Sequence, residues 1–506
     1  MPTATYALYV DWDNDGNYSD PGEDITADWL SAEIERGFDG PLARVAKATR
    51  AAFVVNNAGR DYSPALVSSV LPRRKVKFTM TYTSTVTLFE GYLEEITPDY
   101  GPKLSRRATL SCVCAMALLD LAEATIEVQQ NAAADDIISA LVAAVYTPAS
   151  TSYQAGINQF PISGDRWVGV DSWSGGIVRG ARGFQTVNAS QKIRDVCASD
   201  WGRFYISKAG VPTFVNRLQM PLDATTELTL SDNMVGLNYT KRAGEVYNYV
   251  EVTCYPRTVG ETLEVVGALD PQAPPRIDPS ASMTFVLNYR DPANSAVQVG
   301  GINAATPVAN TDILCTSDEA GEGDDDTASV SISMTAYADK AEVTLTNALS
   351  RPTFVQALQV RAYAVRAREP VVVRKSDATS IASYQKRALA IQAPLMSKES
   401  EALRLAEYLL DVYKTPRDIV EGVVVLGNKS ATFLAAVRDL ELLDRVVVTE
   451  TQTGLSSYAG HVYRMRHSIP NKHDHRLTLD LETGYSVGTP FRLDTSALNS
   501  GHVLVY

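Results

Sequence analysis

Lys75-Val76-Lys77-Phe78-Thr79-Met80-Thr81-Tyr82 alternates polar and apolar residues without a break. Only an extended backbone sorts such a series onto one buried and one outward face, because strand side chains alternate sides whereas helical ones recur every third or fourth position. Related runs return along the chain: Ala7–Val10, Ala51–Val55, Tyr247–Thr253, Ala328–Met334, Glu342–Thr346, Ile419–Leu426, Leu440–Thr449, Gly460–Ile469 and Arg476–Leu481. They are rich in β-branched and aromatic residues and are separated by Gly, Asn, Asp and Pro, the residues of turns. The expected fold class is therefore α+β, predominantly β.

Three segments break the pattern with helical periodicity. In Asn131–Tyr146, Ile137, Leu141 and Val145 stand one turn apart, Asp135 and Asp136 sit early, and Pro148 follows. Asn188 can cap a second helix running to Trp201, with Gly202 placed to end it. Ser397–Tyr413 has Ala402, Leu405, Ala406, Leu409, Leu410 and Tyr413 on one side, Ser397 as cap and Pro416 beyond. At 506 residues the chain exceeds one core, so three or four domains are expected. Strands up to about Gly101 suggest a small barrel or sandwich, a mixed α+β domain follows to about residue 218, and the Pro-, Ala- and Thr-rich stretch 257–370 reads as an all-β insertion. Residues from Tyr485 onward form a docked arm or a frayed tail.

Composition excludes several functions. A net charge of −13 repels phosphate backbones, so no specific nucleic-acid binding is expected. Cys112, Cys114, Cys197, Cys254 and Cys315 have neither disulfide-framework nor zinc spacing, which points to a reducing compartment of synthesis. Cys112 and Cys114 read as buried thiols. No basic, then apolar, leader and no run of about 18 apolar residues is present, so neither signal peptide nor membrane span is expected.

The sharpest local motif is Asp11-Trp12-Asp13-Asn14-Asp15-Gly16. Asp11, Asp13 and Asp15 at positions 1, 3 and 5, with Gly at 6, match the first half of a calcium loop. Position 12 is Gly22, so Glu23 or Asp24 would have to complete it. The other reading is an Asp- and Gly-rich turn satisfied by its own backbone. His461, His467, His473 and His475 cluster near a hairpin turn, where exposed histidines are expected before a metal site. Gly422–Ser430 imitates a phosphate loop, but Asn428 separates Gly427 from Lys429 and the would-be cradle is a β-run. Gly176, Gly180 and Gly183 lack dinucleotide-binding spacing. No nucleophile elbow or His-Glu-x-x-His helix occurs, so no catalytic or cofactor-binding residue is nominated and the chain is not expected to be an enzyme. The acidic run Asp318 to Asp326 reads as a solvated loop. Arg73, Arg74, Lys75 and Lys77 suit either a solvated edge strand or an acidic neighbouring subunit.

Several pieces in their order resemble the tail-hub proteins at the distal end of long non-contractile bacteriophage tails. They are Tyr9–Gly16 with Asp24-Ile25-Thr26, Gly59–Pro64, Leu71–Val76, Trp201–Tyr205 with the Gly210 hairpin, Tyr247–Val252, Ser380–Leu389, Ala402–Tyr413 with Thr415-Pro416-Arg417, and Leu440–Val447. The resemblance implies a ring-forming homotrimer whose two barrel-like domains per subunit mimic a six-fold tail tube. It places the first barrel at 1–104, an α+β domain at 105–218, and the second barrel at 219–256 with 418–485. The insertion is then 257–370, a helical connector 371–417 and a C-terminal arm 486–506. Implied partners are a distal tail or tail tube protein, the tape measure protein, and a central tail fibre or other tip proteins. The implied setting is the virion tail tip, with assembly in the host cytoplasm. A second possibility is host-surface binding, to saccharide or protein, through 257–370.

Overall fold

The computed structural model describes residues 2–100, 106–124, 133–154, 188–217, 225–269 and 273–483. The expected arm at 486–506 and Gly176, Gly180 and Gly183 lie outside them. The fold is α+β and predominantly β. Its spine is one twelve-stranded sheet. Six strands come from the N-terminal part: β1 (Thr5–Val10), β2 (Trp29–Gly37), β3 (Arg50–Asn56), β4 (Lys75–Tyr82), β5 (Ser84–Pro98) and β6 (Arg107–Val113), in the spatial order β1-β4-β5-β6-β3-β2. The other six are β7 (Leu228–Ser231), β8 (Gly236–Lys241), β9 (Asp418–Leu426), β10 (Arg445–Glu450), β11 (Leu455–Asn471) and β12 (Asp474–Thr483), in the order β7-β10-β11-β12-β9-β8. The second half thus repeats the strand order of the first. The halves join where β2 pairs antiparallel with β11, from Ala32 opposite Ile469 to Gly37 opposite Arg464.

The repeat extends to single residues. Lys75 opposite Tyr92 begins the β4–β5 ladder, as Arg445 opposite His461 begins β10–β11. Tyr92 also faces Val113 and His461 also faces Glu482; each ladder then skips a residue, between Leu93 and Glu95 and between Val462 and Arg464. A glycine precedes each site because the neighbouring strand lies against it. A Cβ on Gly91 would sit 2.3 Å from the Val113 carbonyl oxygen, and one on Gly460 2.9 Å from that of Glu482. The modules differ at one end, where β1 runs antiparallel to β4 but β7 runs parallel to β10.

Each module buries its own alternating face. Leu8, Val10, Ile34, Phe53, Phe78, Phe89 and Leu110 fill the first core, and Val420, Val423, Val446, Val448, Met465, Leu477 and Leu479 the second. The helix Ala431–Asp439 between β9 and β10 spans both, with Phe433 and Val437 in the second core and Leu434 in the first. Burying one such leucine is worth about 1.5–3 kcal/mol, so the helix fastens one module to the other.

Three further units hang on this sheet. Helices Met116–Leu121, Ala134–Ala143 and Ala189–Asp200 pack with the hairpin of Arg203–Ile206 and Pro212–Val215 around Ile137, Leu141, Ile193, Val196 and Phe214. Asn188 caps its helix by accepting the Gln191 amide at 2.9 Å. The left-handed residue ending that helix is Trp201 (φ 61°), not Gly202, whose missing side chain instead admits the Phe214 ring. Tyr249–Cys254 forms a second unit, antiparallel to Val371–Ser376 and parallel to Ala388–Ala393, covered by the helix Glu399–Tyr413. That helix begins after Lys398 rather than at Ser397. The third unit, between these paired strands, is a β-sandwich. Its sheets are centred on Thr353–Ala367 and on Lys340–Asn347, around Phe285, Val343, Leu345, Val355 and Val360.

Three expectations are corrected. β6 belongs to the first module although it lies past residue 104, because Ala108, Leu110 and Cys112 alternate into that core. Tyr249–Cys254 is no part of the second barrel, and 371–417 is more than a connector, since the two together build an α/β unit. Lys75 and Lys77 lie on an internal strand, between β1 and β5, where an edge strand was one expectation. Among the described residues no helix is long and apolar enough to cross a membrane.

Gly91→Ala is expected to lower the unfolding free energy by about 1–3 kcal/mol, because β5 and β6 must part to admit the methyl group. Gly244→Ala, where a Cβ meets nothing within 4 Å, should stay within about 0.5 kcal/mol; urea unfolding of both variants checks the contrast.

Candidate functional site

The Asp-rich loop leaves β1 at Asp11, which is fully buried. Its carboxylate accepts the amides of Asn14 (2.5 Å), Asp15 (3.1 Å) and Gly16 (3.0 Å), while Asp13 accepts Asp15 and Asp15 accepts Asn17. Asn14 and Gly16 have φ of 67° and 91°, the left-handed turns this wrapping needs. Carboxylate oxygens of Asp11, Asp13 and Asp15 lie within 4.8 Å of one another, and so do those of Asp13, Asp20 and Glu23. Glu23 is the residue that turns in: it is buried and accepts the Trp12 and Asp20 amides. Asp24 instead stays exposed and accepts the Thr26 amide.

Burial pushes the Glu23 carboxyl above its ordinary value; the amides of Asp20 and Trp12 oppose this and the charges of Asp13 and Asp11 add to it. Asp13 is lowered by the Asp15 amide, yet desolvation and the charges of Asp15 and Asp20 raise it overall. The loop's donors are all hard oxygens, the chemistry that suits Ca2+, and the same carboxylates also close the turn on its own amides. Lys75 reaches the loop beside Gly16, Lys77 lies over the Tyr18 ring at 5.9 Å, and both face Glu90. Glu90 of the same chain therefore lies beside the basic pair on β4.

Of the four histidines only His473 is exposed, in the β11–β12 turn; His461, His467 and His475 are buried, against the expectation of a solvated cluster. Alternation along β11 and β12 carries His467 and His475 inward, whereas His461 lies on the opposite face of β11, just before the skipped residue. His475 Nδ1 lies 2.9 Å from the Tyr6 hydroxyl, and its Nε2 lies 3.0 Å from His467 Nδ1. With the hydroxyl donating, His475 holds its proton on Nε2 and passes a hydrogen bond to His467. Burial pushes His475 down to about 3 and His467 far below the usual range, so both rings stay neutral. This chain links β1 of one module to β11 and β12 of the other, and its ring nitrogens bond one another rather than converging on a metal.

The phosphate-loop imitation is likewise committed elsewhere. Ser430 Oγ caps the following helix through the Phe433 amide, and Lys429 donates to the Asn233 carbonyl at 2.8 Å. Cys112 and Cys114 are buried, with burial pushing both thiols up. The acidic run is only partly solvated, since Asp326 is buried against Arg351 at 2.7 Å.

Sequence motifs do not reveal the charges buried at the seam between the modules. Arg36, on β2, is buried against Glu441 and donates to the Ile206 carbonyl at 3.3 Å. Arg203 pairs with Glu482 at 2.6 Å, both side chains about 1% exposed, and lies over the Phe38 ring at 4.9 Å. Lys208 donates to the carbonyls of Arg438 (2.7 Å), Asp439 (2.5 Å) and Leu440 (3.1 Å), which neutralises the C-terminal end of the module-spanning helix. The hairpin of the α+β domain is thereby tied to both modules. The sequence trace of this arrangement is a charge at an inward position of an otherwise apolar strand face, as at Arg36 after Ala32 and Ile34; Glu482 is out of phase with Leu477, Leu479 and Leu481 and leaves no such trace.

No protein-family profile matches the chain, and no curated protein matches it. Among solved structures it is similar to a tail protein from Neisseria meningitidis MC58, at 10% identity over 95% of this chain and 96% of that one, with a TM-score of 0.48. It is also similar to the 43 kDa tail protein of prophage MuSo2 from Shewanella oneidensis (9% identity, 96% and 99% covered, TM-score 0.47). Prophage tail protein gp18 from Listeria monocytogenes EGD-e follows (8% identity, 96% of each chain, TM-score 0.42). At these identities and TM-scores the likenesses do not bear on what the chain does.

Asp444 lies under the seam, its carboxylate accepting the Glu441 amide at 2.7 Å. Burial, with the charges of Glu441 and Glu227, lifts its pKa to about 7 against the pull of that amide and of Lys208. The unfolded chain ionises this group near pH 4, so between about pH 4 and 7 the folded state retains a proton that the unfolded state has lost. Stability from Asp444 therefore falls as pH rises through that window, by up to about 4 kcal/mol. Asp444→Asn should remove this part of the slope, which urea unfolding at pH 5 and pH 8 reads directly.

Proposed function

We propose that this chain is the structural hub of a phage tail tip, three copies forming a ring that joins the tail tube to the central tip fibre. The observation that supports this reading is the repeated six-stranded module. Three chains with two equivalent modules each supply six similar units, the number needed to meet a six-fold tube. The bore of such a ring is the conduit for genome ejection, and a net charge of −13 suits a wall that must not hold DNA. Partners under this reading are the distal tail or tube protein, the tape measure protein and the tip fibre. Native mass measurement of the purified protein is expected to give a three-copy species; a strictly monomeric or dimeric protein overturns the reading.

A second reading, host-surface binding by the sandwich, is favoured by its attachment. The sandwich has its own core and joins the rest through two paired strands, from Cys254 opposite Val371 to Arg257 opposite Ala367. Glycan binding by the full chain that disappears when residues 257–367 are replaced by a short turn would support it, and no binding by the full chain would remove it.

For the loop of Asp11, Asp13 and Asp15, completed by Asp20 and Glu23, we propose Ca2+ as the ligand. Removing Ca2+ with a chelator is expected to lower Tm by several degrees in the unaltered chain and not in Asp13→Asn/Asp15→Asn. An unchanged melt discards the ion.

A further inference from the structure

Within one chain the modules meet in two ways. The second half of β11 pairs with β2, and the helix between β9 and β10 lies over the β4–β5 hairpin, where Arg438 donates to the Tyr82 carbonyl and to Thr83. The first module contains the same parts. Its β5 continues past the β4 ladder, which ends at Tyr92, so from Glu94 onward it is paired, among the described residues, on the β6 side alone. The second module's counterpart of β2 is β8, which pairs with β9 and has no other strand beside it among the described residues. Among the described residues one half-contact is therefore left open in each module. We propose that these two edges meet between copies, β8 of one chain adding antiparallel to Glu95–Tyr100 of the next. The inference rests on the ring reading and specifies its subunit contact.

The repeat sets the register. Glu35 faces Arg50, which faces Val113; Thr240 faces Ile419, which faces Glu482. Since Val113 and Glu482 are equivalent, Thr240 stands for Glu35. Glu35 pairs with Arg466 inside the chain, and Arg466 corresponds to Thr97 through the shared skip at Glu95 and Arg464. Thr240 of one copy then faces Thr97 of the next, Arg242 faces Glu95, Lys241 faces Ile96 and Leu237 faces Tyr100.

The chemistry at these positions is complementary. Thr240 Oγ1 is shielded from solvent and has no hydrogen-bond partner among the described residues; opposed threonines bond across strands. Lys241 and Arg242 keep 55% and 52% of their side chains exposed despite contacts to Asp418 and Glu421, and the facing strand offers the exposed Glu94, Glu95 and Asp99. Tyr100 is fully exposed. Pro98 can accept but not donate, so this ladder has one main-chain hydrogen bond fewer than its intramolecular counterpart. The segment between β3 and β4, equivalent in position to the helix Ala431–Asp439, carries the exposed Leu66 and Leu71 that such a contact would cover. A contact of this kind joins unlike surfaces of identical chains, the geometry that closes rings.

The test is Thr97→Cys/Thr240→Cys in the full chain, whose five native cysteines are buried, oxidised and read by denaturing electrophoresis beside native mass. Covalently linked dimers and trimers are expected, with yield at least ten-fold lower in Thr97→Cys/Asn238→Cys, where the register separates the pair diagonally. Arg242→Glu should weaken association about ten-fold, and adding Glu95→Arg should restore it. A three-copy protein that neither cross-links at this pair nor responds to the charge swap overturns the inference and leaves the ring reading standing. Equal cross-linking of the diagonal pair overturns the register, and a strictly monomeric protein overturns both.

Discussion

The β2–β11 pairing is the contact on which the rest of the molecule depends. It places the polar backbone of Ala32–Gly37 and Arg464–Ile469 in one ladder, so neither strand is left with an unpaired buried edge. Everything that crosses the seam requires that ladder first. Tyr6 reaches His475, Leu434 enters the first core and Arg36 meets Glu441 only because the modules are held at that spacing. The buried pairs are costly to desolvate and contribute little net stability by themselves, but each has one geometry in which it is satisfied. They select a single arrangement of the modules, which a patch of apolar residues would select less sharply.

One strand order is used twice in the sheet. Both modules share strand order, the glycine before the skipped residue and the skip itself, and the β2–β11 ladder joins them inside the chain. Attachments are placed away from that repeat. The α+β hairpin sits on the seam through Arg203 and Lys208, while the sandwich departs on two strands from the α/β unit at Tyr249–Cys254. Variation in the sandwich can therefore proceed without disturbing the sheet that builds the proposed ring.

Much of the candidate loop was legible in sequence. Asp11, Asp13, Asp15 and Gly16 act locally, since each carboxylate is bonded to an amide a few residues away, and local bonds are set by local order. Glu23 required the structure, because the choice between Glu23 and Asp24 depends on how the loop folds back on β1. The histidines misled for the same reason. Their spacing suggested an exposed turn, but burial is decided by the Tyr6 strand of the other module. Strand β6 was assigned to the wrong unit because an apolar run followed by a helix reads as the start of a new domain, and only its partner β3 shows otherwise.

By itself the sequence determined most of the strands and the three long amphipathic helices, since the period of burial is written in successive residues and needs no distant partner; the helix Ala431–Asp439, buried on both modules, was visible only in the structure. The sequence also determined the acidic turn. The tertiary structure decided which strands are neighbours, that two halves far apart in sequence repeat one order, and that Arg36, Arg203, Glu441 and Glu482 are buried at their junction. Those outcomes rest on contacts between residues hundreds of positions apart, as with Arg203 and Glu482, and the alternation of a strand encodes which face is buried but not what it is buried against.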